Sequence, residues 1–120
     1  MPLQLGNWQL NVNGQPGTLN IASVDTAGNV TGTVTATGWA LAPAVGFWNE
    51  LAQQLTLWVT TPTAPSSVVF RGCLFVDTMR ISGVSGAVLY SLAGFYEGPP
   101  GLMGSAHQNV FGWYAQIGVD

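Results

Sequence analysis

From the first residues, apolar and polar side chains alternate. Trp8, Leu10 and Val12 are interleaved with Asn7, Gln9, Asn11 and Asn13, the two-residue period of a strand that buries one face. Gly14-Gln15-Pro16-Gly17 predicts a turn, after which Leu19, Ile21 and Ser23 alternate with Thr18, Asn20 and Ala22, so the first two strands form a hairpin. Asp25 to Asn29 predicts the next turn. In the third strand Thr31, Thr33, Thr35 and Thr37 share one face, and Val30, Gly32, Val34 and Ala36 share the other.

Beyond it a Gly/Ala/Pro stretch predicts a connection and Val45 to Asn49 a short aromatic fourth strand. Glu50 to Gln53 predicts a turn, and Leu55 to Thr61 a fifth strand rich in β-branched and aromatic residues. Thr61-Pro62-Thr63-Ala64-Pro65 predicts a stiff loop, because proline gives no hydrogen to a ladder; Ser67 to Val76 predicts a sixth strand. Val88 to Glu97 and Asn109 to Ile117 supply strands seven and eight, parted by Gly98-Pro99-Pro100-Gly101-Leu102-Met103-Gly104. No segment of useful length keeps a helical period. Eight strands with mostly short turns and no covering helix leave two open edges, which closure removes. The expected fold is all-β, an eight-stranded antiparallel up-and-down barrel forming a single domain over residues 1–120, with a β-sandwich as the alternative.

Composition narrows the partners. Charged residues make up 6 % of the chain against roughly 25 % in ordinary domains, and 48 % of residues are hydrophobic, which excludes intrinsic disorder. Without lysine, and with only Arg71 and Arg80 against five carboxylates, the chain has no basic patch for a run of phosphates, so nucleic acid is not an expected partner. No window approaches the 20 or so unbroken apolar residues of a spanning helix, and Met1 to Gly6 lacks a signal-peptide pattern. Cys73 is alone, so neither an internal disulfide nor a cysteine metal cage forms; a reducing, cytoplasmic setting is expected, with no membrane partner and no cofactor.

Three segments carry a resemblance. Gly6-Asn7-Trp8, Gly28-Asn29-Val30-Thr31-Gly32-Thr33 and Val69-Phe70-Arg71-Gly72-Cys73-Leu74-Phe75-Val76-Asp77 resemble, in the same order, the opening Gly-x-Trp strand, the Thr-Gly-Thr strand and the Val-Phe-x-Gly strand of avidins. Trp58 similarly resembles a tryptophan that walls the biotin site of that family. The resemblance implies a non-enzymatic, calycin-like barrel that binds a small ligand. It also implies that biotin binds weakly or not at all. The three places where avidins put donors to the biotin ureido oxygen hold Leu10, Gly14 and Val34 here, and each missing partner costs roughly 1–3 kcal/mol.

The residues themselves give little catalytic chemistry. His107 is the one histidine, in a Gly-rich loop, and no nucleophile elbow, metal-ligand pair or phosphate cradle is present; Asp77 and Glu97 stand at strand ends. With Val34 taken as inward, the avidin-like match places Trp8, Trp58 and Phe70 inside the barrel, Trp8 as a plug. Trp58, Phe47, Asn49 and Tyr90 are then the candidates for ligand contact at the open end, with Phe70 beside them. The expected ligand is a small, largely apolar molecule; the alternatives are a sugar, as in a lectin, or no ligand at all in a self-assembling structural protein. Arg71 is expected to point outward and Cys73 to pack as a small apolar residue. If Trp58 and Thr56 point in, Leu55, Leu57 and Val59 point out; if Phe70 and Leu74 point in, Val69 and Phe75 point out. An apolar patch on strands five and six then predicts a homo-oligomer, a dimer or tetramer formed through those two strands.

Overall fold

A computed structural model describes residues 2–37, 39–59, 68–77, 88–98 and 110–119. Eight strands are present: β1 (Gly6–Val12), β2 (Gln15–Val24), β3 (Asn29–Ala36), β4 (Trp39–Asn49), β5 (Gln54–Val59), β6 (Val68–Asp77), β7 (Val88–Glu97) and β8 (Val110–Val119). Each pairs antiparallel with the next, and β1 pairs with β8 from Gln9↔Gln116 to Val12↔Trp113, which closes the sheet. The fold is therefore the up-and-down barrel and not the sandwich. Closure removes the two edge strands that an open sheet would have.

The core is the inward half of every strand. One ring runs Trp8, Leu19, Val34, Ala42 across β1 to β4, large to small, as the taper of a small barrel requires. At the end where β1 enters, Trp8 is fully buried and its Nε1 donates to the Gln4 carbonyl at 3.1 Å, drawing the N-terminal segment and its buried Leu3 across the opening. Near the opposite end Phe70 stacks on Tyr96 at 4.9 Å, Tyr96 stacks on Phe111 at 5.1 Å, and Trp113 meets Phe70 edge-on at 5.4 Å. Trp113 lies across Gly72, where a Cβ would come within 2.6 Å of the indole, and its Nε1 is shared between the Arg71 and Phe95 carbonyls. Aromatic side chains thus fill the far half of the barrel.

Several expectations need correction. The first turn is Asn13-Gly14 and not Gly14 to Gly17: both residues have positive φ, 49° and 88°, and β2 begins at Gln15. β4 is eleven residues long and takes in the Gly/Ala/Pro stretch from Trp39 onward. Its Pro43 breaks no ladder on the β5 side, since that pairing runs only from Ala44↔Val59 to Asn49↔Gln54. The parity of β5 is reversed. Leu55, Leu57 and Val59 are buried, while Trp58 points outward and is 43 % exposed. Burying three aliphatic side chains at roughly 1.5–3 kcal/mol each outweighs one indole that stays half in water. Cys73 is exposed on the outer face instead of packed, with Gln54 Nε2 donating to its Sγ at 3.8 Å. The expected faces of β3 and β6 are as observed: Val34, Phe70 and Leu74 are inside, and Arg71 and Phe75 are outside.

Candidate functional site

A cleft of about 560 Å³ lies at the entry end between the N-terminal segment, the β2–β3 turn and the β4–β5 turn. Its apolar wall is Leu3, Leu5, Val24, Phe47 and Leu51, and its polar groups come from Asp25, Thr26, Asn49 and Glu50. Both turns are braced from within. In the β2–β3 turn the Asp25 carboxylate accepts from the backbone N–H of Ala27 (2.9 Å) and Asn29 (2.8 Å) and from Asn29 Nδ2 (2.9 Å). Those bonds, the Asn29 side chain first, hold the carboxyl below its ordinary pKa. Gly28 closes the turn at φ +94°, and its carbonyl accepts from the Trp48 N–H at 2.7 Å. A Cβ there would meet the Trp48 carbonyl at 2.6 Å and the Phe47 ring at 2.7 Å, so only glycine lets the turn seat against β4.

The β4–β5 turn has its own frame. Asn49 Oδ1 accepts from the Ala52 N–H at 3.1 Å, Gln53 Nε2 donates to the Glu50 carbonyl at 2.6 Å, and Trp48 Nε1 donates to Glu50 Oε2 at 2.5 Å. Trp48 itself is buried; Phe47, its neighbour on the outward face, is 44 % exposed and presents its ring to the cleft. The result is a preformed, mostly apolar hollow with an aromatic ring and carboxylate oxygens at its margin, the composition of a small-molecule site.

Of the five residues selected from sequence, Phe47 and Asn49 come together in this cleft. The others lie elsewhere. Trp58 is on the outer face of β5, Phe70 is in the aromatic stack of the core, and Tyr90, near the start of β7, packs half-buried against the core. Sequence reasoning missed Trp48, Gly28 and the N-terminal Leu3 and Leu5. The Asp-Thr-Ala-Gly-Asn run marked a turn, but nothing in the alternation showed that the N-terminal segment folds back over the barrel mouth. Leu10 and Val34 are buried core residues and Gly14 is a hairpin turn residue, so none of the three offers a side-chain donor to a ligand.

Three carboxylates are committed to structure: Asp25 to its turn, Glu50 to Trp48, and Glu97 to Arg71 at 3.8 Å. Among the described residues no group of three histidine, cysteine or acidic side chains is placed to hold a metal ion. His107 and Arg80 lie outside the described residues. A scan of protein-family models, a search of curated proteins and a search of solved structures each return no match to this chain.

Proposed function

We propose that the protein is a non-enzymatic small-ligand binding module whose site is the entry-end cleft rather than the barrel interior. The observation that carries this reading is the hollow beside Phe47 and Asn49, held open by two turns that are braced by internal hydrogen bonds, which limits the reordering a ligand requires on entry. The interior offers no comparable room where Phe70, Tyr96, Phe111 and Trp113 stack. Charge sets the ligand class. Two carboxylates at the margin and a formal net charge of −3 disfavour an anion, so the ligand is a neutral or cationic molecule with one flat apolar face for the Phe47 ring. A phenyl ring beside an exposed amide also suits a sugar, which keeps the lectin reading as a second arm of the test.

Calorimetry and thermal melting with benzamidine, methyl glucoside and benzoate separate these readings. A cationic-ring response that exceeds the benzoate response and is lost in Phe47→Ala supports the apolar-ligand reading. A response to methyl glucoside alone, lost in the same variant, selects the lectin. If none of the three shifts the melting temperature, or if Phe47→Ala binds as the parent does, the cleft is not a ligand site for these classes.

A further inference from the structure

The outer surface of the barrel has one face that water does not suit. Across neighbouring strands Val45, Trp58, Val69 and Glu97 stand in one cross-strand row, and Phe47, Thr56, Arg71 and Phe95 stand in the next. Val45, Phe47, Trp58 and Phe95 are each exposed, as is Phe75 further along β6. These five side chains leave roughly 400–500 Å² of apolar surface in water, taking aromatic side chains at their usual size, near the upper end of what single chains carry. With the exposed parts of Arg71, Glu97, Thr56, Cys73 and Gln54 the face reaches about 800 Å², the contribution of one partner to a standard interface.

Charge says what covers it. Arg71 and Glu97 form an ion pair at 3.8 Å within this patch, each about half exposed, and they are the only charged side chains in the two rows. A patch with one cation beside one anion is self-complementary: a two-fold axis between them lays each over the opposite charge of a second copy. A membrane does not fit. The outward residues of β1 to β3, among them Asn7, Gln9, Asn20, Thr31 and Thr33, are polar, whereas a spanning barrel needs an apolar girdle all the way round.

We infer that β4 to β7 form an isologous interface with a second copy of this chain, Trp58 and Phe95 being its apolar anchors and Arg71 and Glu97 exchanging partners across the two-fold axis. The dimer predicted from the sequence is thereby moved from β5 and β6 alone to a four-strand face, and the side chains that β5 contributes are the opposite ones.

Sedimentation equilibrium at micromolar concentration tests this on the whole chain. The expected mass is about 25 kDa, twice the 12.6 kDa of one chain. Arg71→Glu places like charges across the axis and weakens association at least about tenfold, and Arg71→Glu combined with Glu97→Arg restores it. Phe95→Lys gives a monomer. Melting temperature and circular dichroism on each variant establish that it folds, which half-exposed positions allow. A parent chain that sediments as a monomer overturns the inference, as does an association constant that Arg71→Glu leaves unchanged. So does a monomer that floats with phosphatidylcholine vesicles, which would make the face a lipid contact.

Discussion

The two sides of the barrel exterior are built on the same interior and differ in what they show to solvent. On β1 to β3 the outward positions are Asn, Gln and Thr, joined by short polar ties such as Asn20 Nδ2 to Asn7 Oδ1 at 2.7 Å and the Ser23 and Thr31 hydroxyls at 2.6 Å. On β4 to β7 the equivalent positions include Val45, Phe47, Trp58, Phe75 and Phe95, with Thr56, Cys73 and the Arg71–Glu97 pair among them. The first side is finished as a surface, with hydrogen bonds satisfied by neighbours and water. The second resembles the core in composition. A closed barrel needs only one apolar face per strand, so the second apolar face is surplus to folding, and it is this face that we assign to a second copy.

The sharpest contrast sets inward against outward on β3. Val34 is 1 % exposed, and Val34→Asp should destabilise by about 3–5 kcal/mol, because a lone carboxylate would sit among apolar side chains; Thr33→Asp should change stability by less than about 0.5 kcal/mol. Denaturant melts of the pair measure both. A second contrast falls on β5. Leu57→Ala should cost about 2–4 kcal/mol, whereas Trp58→Ala should cost the isolated chain less than about 1 kcal/mol and act chiefly on association. Equal losses for the two would return β5 to the opposite parity.

That same contrast explains what the sequence could show. Where the outer face is polar, alternation sorts most residues, and β1, β3 and the first part of β2 were legible down to which side Val34 takes. Ser23, expected on the face of Leu19 and Ile21, is instead turned outward by a bulge after Ile21 that two-residue alternation does not show. Where both faces are apolar the period loses its meaning. Leu55 to Val59 reads equally well in either register, and the neighbour that settles it, Phe70 paired with Leu57, is distant in sequence. The β4 error has another origin, since Gly, Ala and Pro are poor strand formers and only the closed ladder makes Trp39 to Ala44 extended. The missed Asn13-Gly14 turn was legible, as that dipeptide is the strongest short hairpin signal. Of the site, Phe47 and Asn49 were found through their place at a strand end; the fold-back of Leu3 and Leu5 was not, because four residues carry no period.

Two smaller effects refine the site and the core. Gly28→Ala should cost about 1–3 kcal/mol, since a side chain at φ +94° is strained and its Cβ would strike the Trp48 carbonyl and the Phe47 ring. Thermal melting gives the cost, and the same variant should lose cleft ligands more than Gly112→Ala, a substitution into open space. Burial pushes the Tyr96 hydroxyl up to about 12 from the ordinary 10. Its folded value lies above the unfolded one, so the stability it contributes is intact below pH 10 and is lost as pH rises through about 12. Tyr96→Phe should flatten that alkaline limb in a pH series of melts.

The measurement that bears most directly on the two-sided exterior is sedimentation of three chains side by side: the parent, Thr33→Lys on the polar side and Phe95→Lys on the apolar side. Each variant adds the same charge to an outward strand position. The account predicts a dimer for the parent and for Thr33→Lys and a monomer for Phe95→Lys. A monomeric parent, or a dimer disrupted equally by both lysines, would contradict it.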